Sequence, residues 1–286
     1  MVESVRYGGL AEDFSSYDRS RIVLLPVPFD KTTTYQQGTD KGPEALLRAS
    51  QHMELYDIET ETEVYRHGIY TAAPVCYFSS QDMVEKTCQQ VSQYVQAGKF
   101  VVTLGGEHAI SLGPIKAHSE HFGRISVLHL DAHFDLYPAY EANPYSHASV
   151  MARVKELSNI ERVVSVGIRS AGIEELSYVD SEATFYAHTI YDTNKWIEKA
   201  ISLLSEQVYI SIDLDVFDGS LMPSTGTPEP GGLLWYQVLE LLKEVAKTRS
   251  IVGFDCVELS PNSQNVAPDF LAAKLVYKLL SYRFMV

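Results

Sequence analysis

Three short segments of the sequence combine carboxylates and histidines at spacings that suit metal binding. The candidate ligands are His108 in GGEH, Asp131, His133 and Asp135 in DAHFD, and Asp213 and Asp215 in DLDVFD. In an extended segment, alternate side chains project to the same side of the backbone. Each of the two acidic segments can therefore present its ligands together.

The charge of this set indicates which ions it could hold. Four carboxylates brought together would repel one another and take up protons unless positive charge lay among them. Two divalent cations would balance them, which favours a two-metal centre. Oxygen donors with a minority of imidazoles, and no thiolate, suit Mn²⁺ better than Zn²⁺ or Cu²⁺. The alternative is that the segments are solvated acidic loops or helix caps, with His108 a surface histidine in a tight turn.

The three segments each follow an apolar, β-branched run that predicts a buried strand. Strands are predicted at 22–27, 100–104, 125–130, 162–167, 184–187, 208–213 and 251–256. Helices are predicted between them, at 42–54, 82–98, 110–121, 147–157, 172–180, 193–206, 233–248 and 269–283. This alternation predicts an α/β fold, a single three-layer α/β/α domain over residues 1–286 with a mostly parallel, doubly wound sheet. Ligands of such folds bind beyond the carboxyl ends of the strands, where the three segments would lie.

Composition and charge exclude several functional classes. The 286 residues are 45% hydrophobic and 21% charged, which is typical of a globular protein. A formal charge of −14 repels nucleic acids and anionic membranes. The amino-terminal residues lack the pattern of a secretory signal, and no apolar run is long enough to cross a membrane. Cys76, Cys88 and Cys256 are too scattered for a disulfide framework, so we expect buried free thiols and a cytoplasmic protein.

The remaining histidines and motifs offer no competing site. His129 lies two residues before Asp131 in a predicted strand, so both side chains project to the same side. This suggests a core histidine or one that supports a ligand. The others, which lack nearby acidic residues, are His52, His67, His118, His121 and His188. The sequence contains no G-x-S-x-G, P-loop or G-x-G-x-x-G motif, so serine-hydrolase, kinase and dehydrogenase chemistry has no support.

In this order and separation, GGEH, LDAHFD and SIDLDVFD resemble the metal-binding signatures of the ureohydrolase family, the arginases and agmatinases. The resemblance runs from about residue 20 to the C-terminus and implies two Mn²⁺ ions per subunit. It implies that one ion is held by His108, Asp131, Asp135 and Asp213, and the other by Asp131, His133, Asp213 and Asp215. It also implies that Asp131 and Asp213 bridge both ions.

The resemblance assigns roles to two further residues. The alternatives are that the first is a histidine at a helix terminus without a role and that the second is an ordinary acidic residue after a strand. His147 in PYSHAS occupies the position of the family's proton-transferring histidine. Glu258 in GFDCVELSP occupies that of the glutamate that pairs with the substrate guanidinium, with Asp255 as its neighbour. Asp135 would orient the attacking water through its free oxygen, so His147, Asp135 and Glu258 are the catalytic candidates.

The sequence is more similar to agmatinases than to arginases. At the position of Tyr137, arginases have an Asn that binds the α-carboxylate of the substrate. Tyr137 is a substrate-binding candidate here, but a tyrosine cannot replace the hydrogen bonds of that amide. The resemblance therefore implies hydrolysis of agmatine to urea and putrescine, by attack of a hydroxide that bridges the two metals. Ala109, Ala148 and Ser149 depart from the common agmatinase pattern, and the loop 136–145 is rich in Tyr and contains Glu141. Such a lining suits a longer cation, so the alternative substrates are aminopropyl- and carboxyaminopropyl-agmatine, on a route to spermidine.

Two alternatives from other classes remain at this point. A deacetylase-like hydrolase would hold one metal rather than two, and a non-catalytic polyamine-responsive subunit would release no urea. The resemblance also implies a homo-oligomer, a trimer or a hexamer, acting on a small cationic guanidino compound without nucleic acid or membrane partners.

Overall fold

A computed structural model describes residues 5–285 and contains one eight-stranded sheet. The strands are β1 (Ile22–Val27), β2 (Ile69–Thr71), β3 (Phe100–Gly105), β4 (Ile125–Leu130), β5 (Ile160–Ile168), β6 (Thr184–Tyr186), β7 (Gln207–Asp213) and β8 (Ser250–Val257). Their order is β2-β1-β3-β8-β7-β4-β5-β6, and every pairing is parallel. All eight carboxyl ends therefore lie at the same edge.

The helices cover both faces of this sheet. They are α1 (Glu12–Ser15), α2 (Gly42–Ser50), α3 (Ser80–Gln96), α4 (Leu112–Phe122), α5 (Val150–Lys155), α6 (Ala187–Ile190), α7 (Trp196–Ser202), α8 (Trp235–Thr248) and α9 (Ala267–Phe284). One apolar layer joins the sheet to α2, α7, α8 and α9, and the other joins it to α3, α4 and α5.

The two apolar layers explain why the strands read as continuous hydrophobic runs. In β1, Leu24 packs into the first layer, whereas Val23 and Leu25 pack into the second. A strand covered on both faces must be apolar at every position. This arrangement confirms the predicted three-layer, doubly wound α/β fold.

Some predicted details were wrong. The predicted helix at 172–180 is a 3₁₀-helix, Ile173–Tyr178. Side chains three apart eclipse one another in a 3₁₀-helix, and here Ile173 and Leu176 both face solvent, so no apolar stripe favours an α-helix. The three-residue edge strand β2 was missed, although the equally short β6 was predicted.

Two further observations bear on the expectations from composition. Cys256 is buried and Cys88 is partly buried, but Cys76 is exposed, so the prediction of buried thiols was wrong for that residue. Among residues 5–285, no helix is both long and apolar enough to span a bilayer.

Candidate metal centre

Four adjacent central strands bring the candidate ligands to one place. In the order β3, β8, β7 and β4, these strands end just before or at His108, Glu258, Asp213 and Asp131. The Gly-Gly pair after β3 allows the chain to turn here, because a Cβ at Gly106 would lie only 2.0 Å from the carbonyl oxygen of Phe29. No larger residue fits that position without moving the backbone.

One group of ligand atoms surrounds the ring of His108. Its Nδ1 lies 3.0 Å from Asp131 Oδ2, 2.9 Å from Asp135 Oδ2 and 3.3 Å from Asp213 Oδ2. All four residues are buried. The first predicted ligand set is thus brought together in full.

A second group lies around His133. Its Nδ1 is 2.9 Å from Asp215 Oδ2 and 3.5 Å from Asp131 Oδ1. Asp131 therefore faces His108 with one oxygen and His133 with the other, as a bridging carboxylate would. Asp213 faces His108 with Oδ2, and its Oδ1 accepts a hydrogen bond from the backbone N–H of Asp215, just as Asp131 Oδ1 accepts one from His133. A bridging role for Asp213 stays a prediction.

The hydrogen bonds of His108 leave one ring nitrogen available. Ser211 donates its only proton to Asp255 Oδ1, so its oxygen can only accept from His108 Nε2, 2.9 Å away. Nδ1 then carries the lone pair, and it has no hydrogen-bond partner in the described chain although it is buried. This arrangement fits a metal ligand, because the buried lone pair faces three carboxylates. The other ring nitrogen is held by Ser211, which is itself hydrogen-bonded to the carboxylate of Asp255. Asp255 thus acts on the site through Ser211.

The electrostatics of the site also favour cations. Burial, then repulsion from Asp215 and Asp131, raises the pKa of Asp213 well above its usual range. Burial and the nearby Asp131 likewise raise the pKa of Asp215. Although burial opposes protonation of His133, Asp215 and Asp131 raise the pKa of this ring to about 12. The cluster therefore has an excess of buried negative charge, which divalent cations would neutralise.

His129 belongs to the same cluster but has no free nitrogen. Its Nε2 lies 2.8 Å from Asp131 Oδ2, and its Nδ1 lies 3.2 Å from Ser165 Oγ. Burial opposes ionisation of Asp131, yet His129 and His108 hold the pKa of its carboxyl well below the usual value. These contacts fit the expected role of His129 in supporting a ligand.

A cavity of about 340 Å³ opens directly beside the cluster. His147 and Glu258 line it next to His108 and Asp135. The side chain of Glu258 is buried, and burial, then the nearby Glu107, raises the pKa of its carboxyl well above the usual range. The predicted catalytic residues are therefore gathered around one space.

Part of the lining of this cavity, named its outer part below, is aromatic and acidic. Tyr35, Tyr137 and Tyr140 line it together with Glu175. Tyr137 can occupy its place only because residue 172 is glycine, since a Cβ there would lie 1.7 Å from the Tyr137 hydroxyl oxygen.

Sequence reasoning missed Glu175 and proposed Glu141 instead. Glu141 is exposed and lies outside the cavity. Glu175 turns inward because its carboxylate accepts hydrogen bonds from the backbone N–H groups of Leu136 and Gly172. The signal that could have found it is the acidic residue three positions after Gly172, the spacing of a capped helical turn.

Comparisons with known proteins agree with this architecture. The sequence model of the arginase family matches residues 20–281. The N(1)-aminopropylagmatine ureohydrolase of Synechocystis sp. is 38% identical, over 95% of this chain and 92% of its own. The agmatinase of Pyrococcus horikoshii is 31% identical, over 90% of each chain. The solved agmatine ureohydrolase of Thermoplasma volcanium superposes with a TM-score of 0.86 at 28% identity, covering 99% of this chain and 96% of that one. The chain therefore belongs to the arginase family and is a ureohydrolase of that family.

Proposed function

We propose that this ureohydrolase hydrolyses the guanidinium group of aminopropylagmatine, releasing urea and spermidine. The observation that carries the proposal is the lining of the cavity, which includes His147 and Glu258 and also three tyrosines and the buried Glu175. Agmatine carries one ammonium group besides its guanidinium and aminopropylagmatine carries two, so the longer compound would contact more of this lining. The Synechocystis relative, named for aminopropylagmatine, supports the same choice.

The residues at the cluster fit two manganese ions. His108, Asp131, Asp135 and Asp213 would hold one, and Asp131, His133, Asp213 and Asp215 the other. When bound, the ions would lower the pKa of a water molecule and so supply a nucleophile near neutral pH. These are two sets of metal-donor residues, whereas the deacetylase-like alternative would need only one. The second set therefore disfavours that alternative.

The protein's own residues would then position the reactants. A guanidinium is stabilised by resonance and is a poor electrophile, so alignment matters. Glu258 would pair with the planar cation and fix its carbon over the water. Asp135 would accept a hydrogen bond from that water and orient it. Both residues have positive φ angles, 66° and 54°, which are uncommon outside glycine and are found at functional sites.

His147 would complete the reaction by proton transfer. Water adds to the guanidinium carbon, the bond from this carbon to the amine nitrogen breaks, and the amine leaves with a proton. His147 lines the same cavity as Asp135 and would deliver that proton. The products are urea and the polyamine.

Charge in the outer cavity distinguishes among the extended substrates. Of the residues that line it, none is Lys or Arg. The carboxylate of arginine or of carboxyaminopropyl-agmatine would lack a cationic partner there, whereas the ammonium of an aminopropyl tail would meet Glu175. Burial, then Asp135, raises the pKa of Glu175, so a bound ammonium would favour its ionised form. Tyr137 and Tyr140 offer ring faces to the same cation.

Three expectations about the whole protein belong to this proposal. We expect one ureohydrolase domain, a cytoplasmic location and assembly into a trimer or hexamer. Light scattering on purified protein measures the last of these, and a 32 kDa particle would contradict it.

The test of function is urea release by Mn²⁺-loaded protein. Aminopropylagmatine, agmatine, carboxyaminopropyl-agmatine and arginine are compared at equal concentration, with Asp131→Asn protein as the blank. The highest kcat/KM for aminopropylagmatine supports the proposal. Agmatine as the best substrate would assign an ordinary agmatinase that forms putrescine, and no urea from any compound would favour a non-catalytic subunit.

A further inference from the structure

One hydroxyl group, that of Thr32, contacts both the ring and the backbone of His147. Thr32 Oγ1 lies 3.1 Å from His147 Nδ1 and accepts a hydrogen bond from the backbone N–H of His147 at 3.1 Å. Thr32 belongs to the loop between β1 and α2, far from His147 in sequence. The contact is therefore made by the tertiary fold.

The same hydroxyl is tied to a buried carboxylate. Thr32 Oγ1 donates its proton to Glu107 Oε1 at 2.5 Å. Glu107 is fully buried, and its other oxygen accepts from the backbone N–H groups of Lys31 and Thr32, at 2.8 Å and 2.7 Å. Three donors therefore point at this carboxylate, which fixes the direction of the Thr32 hydroxyl.

Counting donors and acceptors then determines the state of the histidine. A threonine hydroxyl has one proton to donate and two lone pairs that accept. When Glu107 is ionised, the threonine proton goes to it and one lone pair takes the backbone N–H of His147, so the second lone pair must accept from Nδ1. Neutral His147 accordingly carries its hydrogen on Nδ1 and a free lone pair on Nε2.

We infer that Thr32, held by Glu107, is a positioning residue that sets the tautomer and ring orientation of His147. This inference rests on the proposed function, in which His147 transfers a proton. With Nδ1–H fixed, Nε2 is the only ring atom that can take up a proton and give it to the leaving amine. Without the hydroxyl, the neutral ring can adopt the other tautomer, whose Nε2–H cannot accept a proton.

The first test compares Thr32→Val with Thr32→Ser. Valine keeps the shape but removes the hydroxyl, whereas serine keeps the hydroxyl. We expect Thr32→Val to lower kcat by about 10- to 100-fold with KM and bound manganese unchanged, and Thr32→Ser to restore kcat to within a few-fold. Thr87→Val, a buried change in α3 at a hydroxyl with no partner in the described chain, is the matched control. Equal kcat for Thr32→Val and wild type, equally poor Val and Ser variants, or loss of manganese in the Val variant would overturn the inference.

The second test needs no substrate. Solid-state ¹⁵N spectra of metal-free protein with ring-labelled histidine distinguish Nδ1–H from Nε2–H, and His147→Asn identifies the signal. We expect Nδ1–H in the wild type and Thr32→Ser, and a mixture in Thr32→Val. Nε2–H in the wild type would refute the tautomer assignment even if urea is released. Nδ1–H without urea release from any guanidino compound would leave it standing while the proposed function fails.

Discussion

The backbone N–H of His108 donates a 2.7 Å hydrogen bond to Glu258 Oε1, although these residues follow different strands. The backbone N–H of Glu258 in turn donates to the carbonyl oxygen of Gly106. The carboxylate proposed to hold the guanidinium is thereby fixed to the loop that carries a proposed metal ligand. In the proposed mechanism, the backbone rather than a flexible side chain would therefore set the distance between the substrate and the metal centre.

Glu258→Gln should separate substrate binding from metal binding. The amide removes the charge that pairs with the guanidinium, and loss of one member of a buried charged pair costs at least about 2 kcal/mol. We expect kcat/KM to fall at least about 30-fold while bound manganese, measured by elemental analysis, stays the same. Loss of manganese would show instead that Glu258 mainly supports the His108 loop.

Asp131→Asn should remove metal and activity together. Asp131 faces both His108 and His133, so an amide in its place weakens both donor groups. Elemental analysis and urea release after dialysis against Mn²⁺ measure the two effects. His118→Gln is a useful comparison, because His118 is buried but lies in α4, outside the cavity. Full manganese occupancy in the Asp131 variant would contradict the bridging position.

Glu175→Gln should discriminate between long and short substrates. The change removes the negative charge at the outer end of the cavity but keeps an oxygen for the N–H groups of Leu136 or Gly172. We expect KM for aminopropylagmatine to rise about 10-fold, which corresponds to a loss of about 1.4 kcal/mol of binding free energy. KM for agmatine should change little. Glu141→Gln, at the exposed residue, should alter neither. An equal rise for both substrates would mean that Glu175 shapes the cavity without contacting the tail.

Lys278→Met should affect stability but not catalysis. Lys278, in α9, is buried and lies 3.0 Å from Asp57 Oδ1 and 2.6 Å from Glu59 Oε2. Removing the cation leaves the buried Asp57 without its partner, which costs about 3 kcal/mol at pH 7. Urea unfolding monitored by circular dichroism measures this loss. An unchanged midpoint would contradict the ion-pair role.

The same variant has a defined pH dependence. Burial opposes ionisation of Glu59, but Lys243 and Lys278 lower its pKa from 4.5 to about 2, and the pKa of Asp57 is lowered too. An acid with a lowered folded pKa contributes stability above its unfolded pKa and loses it as the pH falls toward the folded value. The difference between wild type and Lys278→Met should therefore shrink between about pH 4.5 and pH 2. A difference that grows with acidification would contradict this account.

The sequence predicted the parts of the site that depend on periodicity. Buried parallel strands need apolar residues at every position, so β4 and β7 were recognisable, and alternation placed Asp131 and Asp213 at their ends. It could not predict that Thr32 and Glu175 enter the site. Thr32 lies in a loop and Glu175 in a 3₁₀-helix, and the direction of each side chain depends on contacts made by distant parts of the chain. Ser211 could not be predicted for a different reason. It lies inside an apolar strand, and only its hydrogen bonds to His108 and Asp255 show how it could act on the site.

The pairing of β3 with β8 has a consequence for how the protein reaches its native state. Val102 and Phe254 are register partners, yet they lie far apart in the chain. Loop closure over such a distance is slow, because entropy is lost before the contacts form. β8 separates β3 from β7 in the sheet, so the candidate ligands after these strands can meet only once this last strand has been inserted. Manganese added during refolding should therefore slow unfolding of the complete chain without accelerating its early folding steps. During synthesis, a chain that still lacks β8 has no complete centre for manganese to fill.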